Sequence, residues 1–323
     1  MVSRSLICES ELSWPSCSHS FRSGGGPGIE KAAAQTVGPL YHWGDDSNGV
    51  GTVPSGNFKQ VASGRKFAIG VRENGSLAGW GLNTDGQTNV PESANFVAVS
   101  CGWDHSLALQ TDGTVVAWGK DGSWLNVPSG LTATVVAAGE YVSLALRSNG
   151  TIAIWGQTSG WTIPSNDPGM YIALSAGAHQ ALAITAGGTL VAFGPTSPEC
   201  NCQSGETNAG TVPIGVDEDF IAIGSIHCHS FAIRANGTIL GWGCGNLCNV
   251  LPPPSGTFTQ VSGGYQHGLA MRTNSTTAAW GASGDFCEHK YGQGQVPLEL
   301  SLIPILRIGP SHSSWFNLVI LAP

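Results

Sequence analysis

Apolar residues fall along this chain in short runs of about five or six, and the runs come in threes. FVAVSC (96–101), HSLALQ (105–110) and TVVAWG (114–119) form one such set, divided by a glycine and by an Asp-Gly turn. Runs of this length, apolar at consecutive positions and bounded by turn residues, predict β-strands covered on both faces. Asn-Gly or Asp-Gly between two such runs signals a hairpin, here expected as a two-residue turn with positive φ at both residues.

The set recurs. A Trp-Gly step falls at Trp43, Trp80, Trp118, Trp155, Trp242 and Trp280, with Phe193-Gly194 as a seventh variant, at spacings of 37, 38, 37, 38, 49 and 38 residues. Val-Pro or Ile-Pro follows at Pro54, Pro91, Pro128, Pro164, Pro213 and Pro297, with LPPP at Pro252. A glycine precedes each middle strand: Gly64, Gly102, Gly139, Gly177, Gly224, Gly264 and Gly309. The hairpin turn is Asn74-Gly75, Asp112-Gly113, Asn149-Gly150, Gly187-Gly188, Asn236-Gly237 and Asn274-Ser275. Markers in constant order define a repeat architecture. The residue before the aromatic is small in most units (Gly79, Ala117, Ala192, Gly241, Ala279), which lets a neighbouring sheet come close.

Small sheets stacked face to face around an axis make a β-propeller. The expected fold is therefore all-β, a seven-bladed propeller of short, mostly three-stranded blades. VGPLYHWG near the start is a lone third strand, and SWFNLVILAP at the end is a second strand with no Trp-Gly after it. Each supplies what the other lacks, so pairing of the N- and C-terminal strands is expected to close the ring. Residues 1–36, with SGGGPG at 23–28, read as a flexible tail and linker ahead of a propeller spanning 37–323.

Composition narrows the function. Charged residues are 11% of the chain, against about a quarter in ordinary globular proteins. The net charge is −8 and no Lys/Arg cluster occurs, so the electrostatic footprint of a nucleic-acid binder is missing. No apolar run is long enough for a membrane-spanning helix, and membrane insertion is not expected. The first residues lack a secretory apolar core, which favours an intracellular protein. Nine cysteines, an odd number, cannot all pair within one chain.

These units resemble the repeats of the regulator of chromosome condensation superfamily, whose hallmark is a glycine, a His-Ser/Thr-Leu-Ala-Leu strand and a Trp-Gly step. GWGLNTDGQTNVP (79–91) is most similar to the short-repeat type represented by β-lactamase inhibitory protein II. The resemblance implies the propeller fold after about residue 36. It says less about function, because the superfamily holds exchange factors, inhibitors, a photoreceptor and receptor ectodomains.

Strand direction sorts the loops onto two faces. The loop before the middle strand and the segment after Trp-Gly share one, called the top, and the hairpin turns lie on the bottom. Lengthened segments at 195–211 and 282–295, and two extra residues expected after Gly224, fall on the top. So do aromatics at non-repeating positions: Trp103, Trp124, Tyr141, Trp161, Tyr265, Phe286 and Tyr291. Insertions and aromatics gathered on one face mark a binding face. Arg65, Lys66, Asp104 and Glu140 are the charged candidates beside them. Trp103 and Tyr141 fall where the resemblance to the inhibitory protein implies contact with a partner. The strictly repeated tryptophans read instead as packing between blades, and the repeated His105, His229, His267 and His312 as structural imidazoles.

Cys200, Cys202, His227, Cys228, His229, Cys244 and Cys248 crowd into 49 residues of predicted top loops, followed by Cys287 and His289. Thiolate and imidazole are natural zinc ligands, so Cys200, Cys202, His227, Cys228, Cys244 and Cys248 are the candidate set for a structural zinc. Disulfides such as Cys244–Cys248 and unlinked thiols are the alternatives. Four Asn-x-Ser/Thr sequons, at Asn74, Asn149, Asn236 and Asn274, all sit at the hairpin turn. There the demand for positive φ explains the asparagine, which leaves glycosylation the weaker explanation.

No nucleophile elbow, phosphate loop or HExxH helix occurs, so no catalytic residues and no enzymatic activity are expected. The leading reading is a protein-interaction propeller, an inhibitor or assembly subunit, holding one partner on its top face as a monomer or within a larger assembly. A glycan-binding lectin is an alternative, but its sites should repeat from blade to blade. Arg65-Lys66, Trp103-Asp104, Glu140-Tyr141, Ala178-His179 and Tyr265-Gln266 do not repeat. Nucleotide exchange on a small GTPase is a further alternative that rests on the resemblance alone.

Overall fold

Each hairpin turn binds two blades as well as reversing the chain. The carbonyl of Gly75 accepts the N–H of Phe96 (3.0 Å), and Gly113, Gly150, Gly188, Gly237 and Ser275 do the same for Ala133, Tyr171, Phe220, Phe258 and Ile305. Every acceptor is the last turn residue, and every donor opens the inner strand of the next blade. Gly38 serves Phe58 in this way at the seventh junction (2.9 Å). Only the second turn residue has positive φ: Gly75 lies at 83° and Gly150 at 81°, while Asn74 and Asn149 do not lie there. The expected two-residue turn is thus corrected to a longer one, closed by Arg72 N–H to the Ser76 carbonyl and Gly75 N–H to that of Arg72.

The computed structural model describes residues 37–163, 170–195, 209–213, 219–243, 253–281, 294–301, 303–309 and 316–322. Its strands form seven antiparallel three-stranded sheets. Strand β1 (Leu40–Gly44) precedes six consecutive blades. Blade 1 holds β2 (Phe58–Ser63), β3 (Phe67–Arg72) and β4 (Leu77–Gly81). Blade 2 holds β5 (Phe96–Cys101), β6 (His105–Gln110) and β7 (Val115–Gly119). Blade 3 holds β8 (Ala133–Ala138), β9 (Val142–Arg147) and β10 (Ile152–Gly156). Blade 4 holds β11 (Tyr171–Ala176), β12 (Ala181–Thr185) and β13 (Leu190–Phe193). Blade 5 holds β14 (Phe220–Ser225), β15 (His229–Arg234) and β16 (Ile239–Gly243). Blade 6 holds β17 (Phe258–Gly263), β18 (His267–Arg272) and β19 (Thr277–Gly281).

Blade 7 closes the ring. Its inner strand β20 (Ile305–Ile308) and middle strand β21 (Phe316–Leu321) are completed by β1, with Trp43 opposite Asn317 and Leu40 opposite Ile320. Phe58, Val61 and Trp80 of blade 1 pack against Phe316, Leu318 and Ile320 of blade 7 in one buried cluster. Burying a side chain of this size contributes about 1.5–3 kcal/mol, so the core lies between blades and holds the closure shut.

The marker glycine has a packing cause. A Cβ on Gly102 would meet the Gly139 carbonyl at 2.5 Å, and one on Gly139 the Gly177 carbonyl at 2.8 Å, so successive blades meet backbone to backbone. In blade 5 this place is taken by Ile226, whose N–H bonds the His229 carbonyl as Gly102 N–H bonds that of His105. Gly224 belongs to β14, opposite Phe231. The loop therefore carries no extra residues, and His227 occupies the position of Trp103.

The inner strands surround an axial cavity of about 170 Å³ lined by Gln60, Ser100, Ser175, Ser225 and Ser262 among aliphatic residues. Some of these side chains reach across the junctions: Gln60 Oε1 accepts Val99 N–H (2.6 Å), and Ser100 Oγ accepts Ala138 N–H (3.0 Å).

Candidate functional site

Six short loops, one from each of blades 1 to 6, meet at the top. Each has three residues between the inner and middle strands, four in blade 4, and the side chains differ from blade to blade. Their contacts run from blade to blade. Arg65 lies over the Trp103 ring, 5.2 Å from its centroid. Trp103 meets Tyr141 at 5.8 Å, and Tyr141 meets Trp124 at 5.4 Å. Glu140 Oε2 lies 3.6 Å from His179 Nε2. His179 meets His227 edge-on at 5.5 Å, and His227 meets Tyr265 at 4.3 Å. The order Arg65, Trp103, Tyr141/Glu140, His179, His227, Tyr265 is a continuous arc across six blades.

The charges are internally matched. Asp104 is buried and lies 3.4 Å from Arg65 Nη2 and 3.8 Å from Lys120 Nζ. Glu140 is buried, and its carboxylate with burial pushes the Tyr141 hydroxyl up to about 12, burial being the larger cause. Burial, then His179 and His229, pull His227 down to about 4. At neutral pH the arc therefore presents the rings of Trp103, Tyr141 and Tyr265 over a buried, neutral His227 imidazole, with Asp104 set between Arg65 and Lys120.

Several expected site residues stand elsewhere. Trp124 and Trp161, each only 8% exposed, are corrected from exposed binding rings to core. The indole N–H of Trp124 donates to the Lys120 carbonyl, and Trp161 packs edge-on against Phe193. Both sit in segments that fold back under the loops, a path the apolar pattern of the strands does not record. Asp104 and Glu140 stay within the arc as buried acids rather than exposed charges. Arg65, Lys66, Trp103, Tyr141 and Tyr265 are half-buried there. Phe286 and Tyr291 lie outside the described residues, as do Cys200, Cys202, Cys244 and Cys248. The arc also takes in His179, which the sequence reading passed over. Alignment of His227 with Trp103 and of His179 with Asp104 was the available signal.

The zinc set is altered at one described member. Cys228 is disulfide-bonded, so its sulfur is no thiolate ligand, and His227 Nδ1 lies 2.9 Å from that sulfur. Among the described residues no group of three or more His, Cys, Asp or Glu is arranged to hold a metal ion.

Seven short blades, a closed ring and repeated Trp-Gly steps define a seven-bladed β-propeller. Residues 58–87 and 96–123 match the Regulator of chromosome condensation (RCC1) repeat. A stretch of 77 residues is 32% identical to the ultraviolet-B receptor UVR8 of Arabidopsis thaliana, covering 20% of this chain and 18% of the receptor. Among solved structures, Prp20p of Saccharomyces cerevisiae is similar over 90% of this chain and 92% of its own, at 16% identity and a TM-score of 0.67. Human WBSCR16 is similar over 88% of this chain and 100% of its own, at 15% identity and a TM-score of 0.69.

Proposed function

We propose that this propeller is a non-enzymatic protein-binding module that holds one partner on the loop arc of its top face, as an inhibitor or an assembly subunit. The observation that carries the reading is the arc itself: the half-buried rings of Trp103, Tyr141, His179 and Tyr265, linked across blades through the buried His227, on loops whose residues do not repeat. Rings of this kind remove large area from water with few rotors to freeze, as binding hot spots do. A sugar-binding ring would be expected to present the same residues in every blade. The likeness of the repeats to β-lactamase inhibitory protein II favours an inhibitor.

The test is affinity capture with the intact protein beside Trp103→Ala, Tyr141→Ala and Tyr265→Ala, with Ser76→Ala on the opposite face as control. A partner retained by the control and lost by the arc variants supports the reading. Equal capture by all four rejects it, and competition by a simple sugar promotes a lectin. Regulation of a small GTPase is the second reading, favoured by the likeness to Prp20p, studied for its binding to Gsp1p and histones. Accelerated nucleotide release from a small GTPase, abolished by the arc variants, would establish it.

A further inference from the structure

The four sequons occupy one structural position. Asn74, Asn149, Asn236 and Asn274 are all exposed and all lie at the bottom hairpin turn, in blades 1, 3, 5 and 6. In each turn Oδ1 accepts two bonds from the residue two places on. For Asn149 these are Thr151 N–H (3.1 Å) and Thr151 hydroxyl (2.7 Å), and Ser76, Thr238 and Thr276 repeat the pair. The fold uses only the oxygen. Asp112 fills the same place in blade 2, where its carboxylate accepts Thr114 N–H at 2.9 Å. Positive φ does not require asparagine either, since that conformation falls on the following residue. The turn thus accounts for an Asx oxygen and leaves the amide nitrogen unexplained.

From this exposure, the unused amide nitrogens and the hydroxyl two residues on, we infer that Asn74, Asn149, Asn236 and Asn274 are N-glycosylation sites. A second observation agrees: Cys228 is disulfide-bonded, as in proteins that mature in an oxidising compartment. The donor class is an oligosaccharide activated as a pyrophosphate ester, transferred by a glycosyltransferase. Asn Nδ2 bonds to the anomeric carbon, the bond from that carbon to pyrophosphate oxygen breaks, and Nδ2 loses one proton. No electrons change hands. The glycans would crowd the bottom rim and leave the loop arc open, since every sequon lies on the opposite face.

The test uses the full chain isolated from the cells that make it. Site-resolved mass spectrometry should find glycan on the peptides holding these four residues. Digestion with an amidase that cleaves the Asn–glycan bond should leave aspartate at each. Replacing all four by aspartate keeps the turn oxygen, as Asp112 shows, so the variant should fold with an unchanged melting temperature and lose every glycan mass increment. Unmodified asparagine in all four peptides overturns the inference. Glycan that persists on these peptides in the aspartate variant overturns it as well, by placing the sugar on the hydroxyl.

Discussion

Trp155 of blade 3 donates its indole N–H to the carbonyl of Trp124, across 2.8 Å, in the segment that follows blade 2. Ser143 Oγ donates to the same carbonyl (2.9 Å), and His105 Nε2 of blade 2 lies 3.0 Å from that Oγ. Trp118 and Trp242 hold the carbonyls of Gln87 (2.9 Å) and Ala209 (3.2 Å) in this way, and Trp80 that of Val50 (3.0 Å). In these four units the repeated tryptophan is thus a pin between a blade and the segment behind it.

Trp155→Phe removes the pin but keeps most of the ring volume, and should cost about 1 kcal/mol, because the carbonyl still accepts Ser143. Trp155→Ala adds a cavity and should cost about 3–5 kcal/mol. Denaturant unfolding measures both, and no loss in Trp155→Phe would show that the hydrogen bond contributes nothing.

The blade clasp at the turns predicts unequal glycine effects. At Gly49 (φ 79°) an added Cβ meets nothing within 4 Å, so Gly49→Ala should cost only the backbone penalty of about 1–2 kcal/mol. At Gly150 (φ 81°) the added Cβ also meets Met170 Cα at 2.8 Å, in the next blade. Gly150→Ala should therefore lose clearly more in the same unfolding assay.

Acid should weaken the fold through His267. Burial pulls its pKa from 6.5 to about 4, while the bond to Asn317 Oδ1 (2.9 Å) opposes the shift. The unfolded chain takes up this proton near pH 6.5 and the native state only near pH 4. This contribution is therefore complete above pH 6.5 and is lost as the pH falls towards 4, at up to about 1.4 kcal/mol per unit. Stability measured from pH 7 to pH 4.5 should fall less steeply in His267→Gln. An unchanged slope would assign the acid sensitivity elsewhere.

Truncation should separate the arc from its support. Trp124→Ala should lower the melting temperature sharply, as loss of a buried indole costs about 3–5 kcal/mol. Trp103→Ala should lower it much less while weakening partner binding by about 2 kcal/mol. Paired calorimetry and affinity measurements decide, and the reverse ranking would move the binding site off the arc.

Closure should be all or none. Deleting 316–322 removes the middle strand of blade 7 and leaves β1 and β20 without the strand that pairs them, so the cooperative transition should vanish. Deleting 1–35 should leave it unchanged. A melt of the first variant matching the full chain would rule out closure as the source of cooperativity.

The repeat made the fold legible because each marker answers to a local demand: glycine for blade approach, tryptophan for the pin, Asx-Gly for the turn. Closure was legible from strand types missing at each end. The site was legible only in outline. Trp103 and Trp124 are both non-repeating tryptophans near the top, yet one caps a loop and the other turns inward to bond the Lys120 carbonyl. That choice is made by contacts between blades, which residue spacing does not carry. His227 was misaligned because Ile226 stands where other blades have glycine.

Since β1 and β21 are adjacent strands of one sheet, the two ends of the described propeller already lie together. The ring as an object has no first blade. A circular permutant with 322 linked to 37 and new ends cut between the exposed Ser129 and Gly130 keeps all seven sheets. Blade 7 then becomes continuous through the linker, and its outer strand follows its middle strand as in the other six. Chain order, on this view, is a convenience of synthesis that the finished ring does not retain.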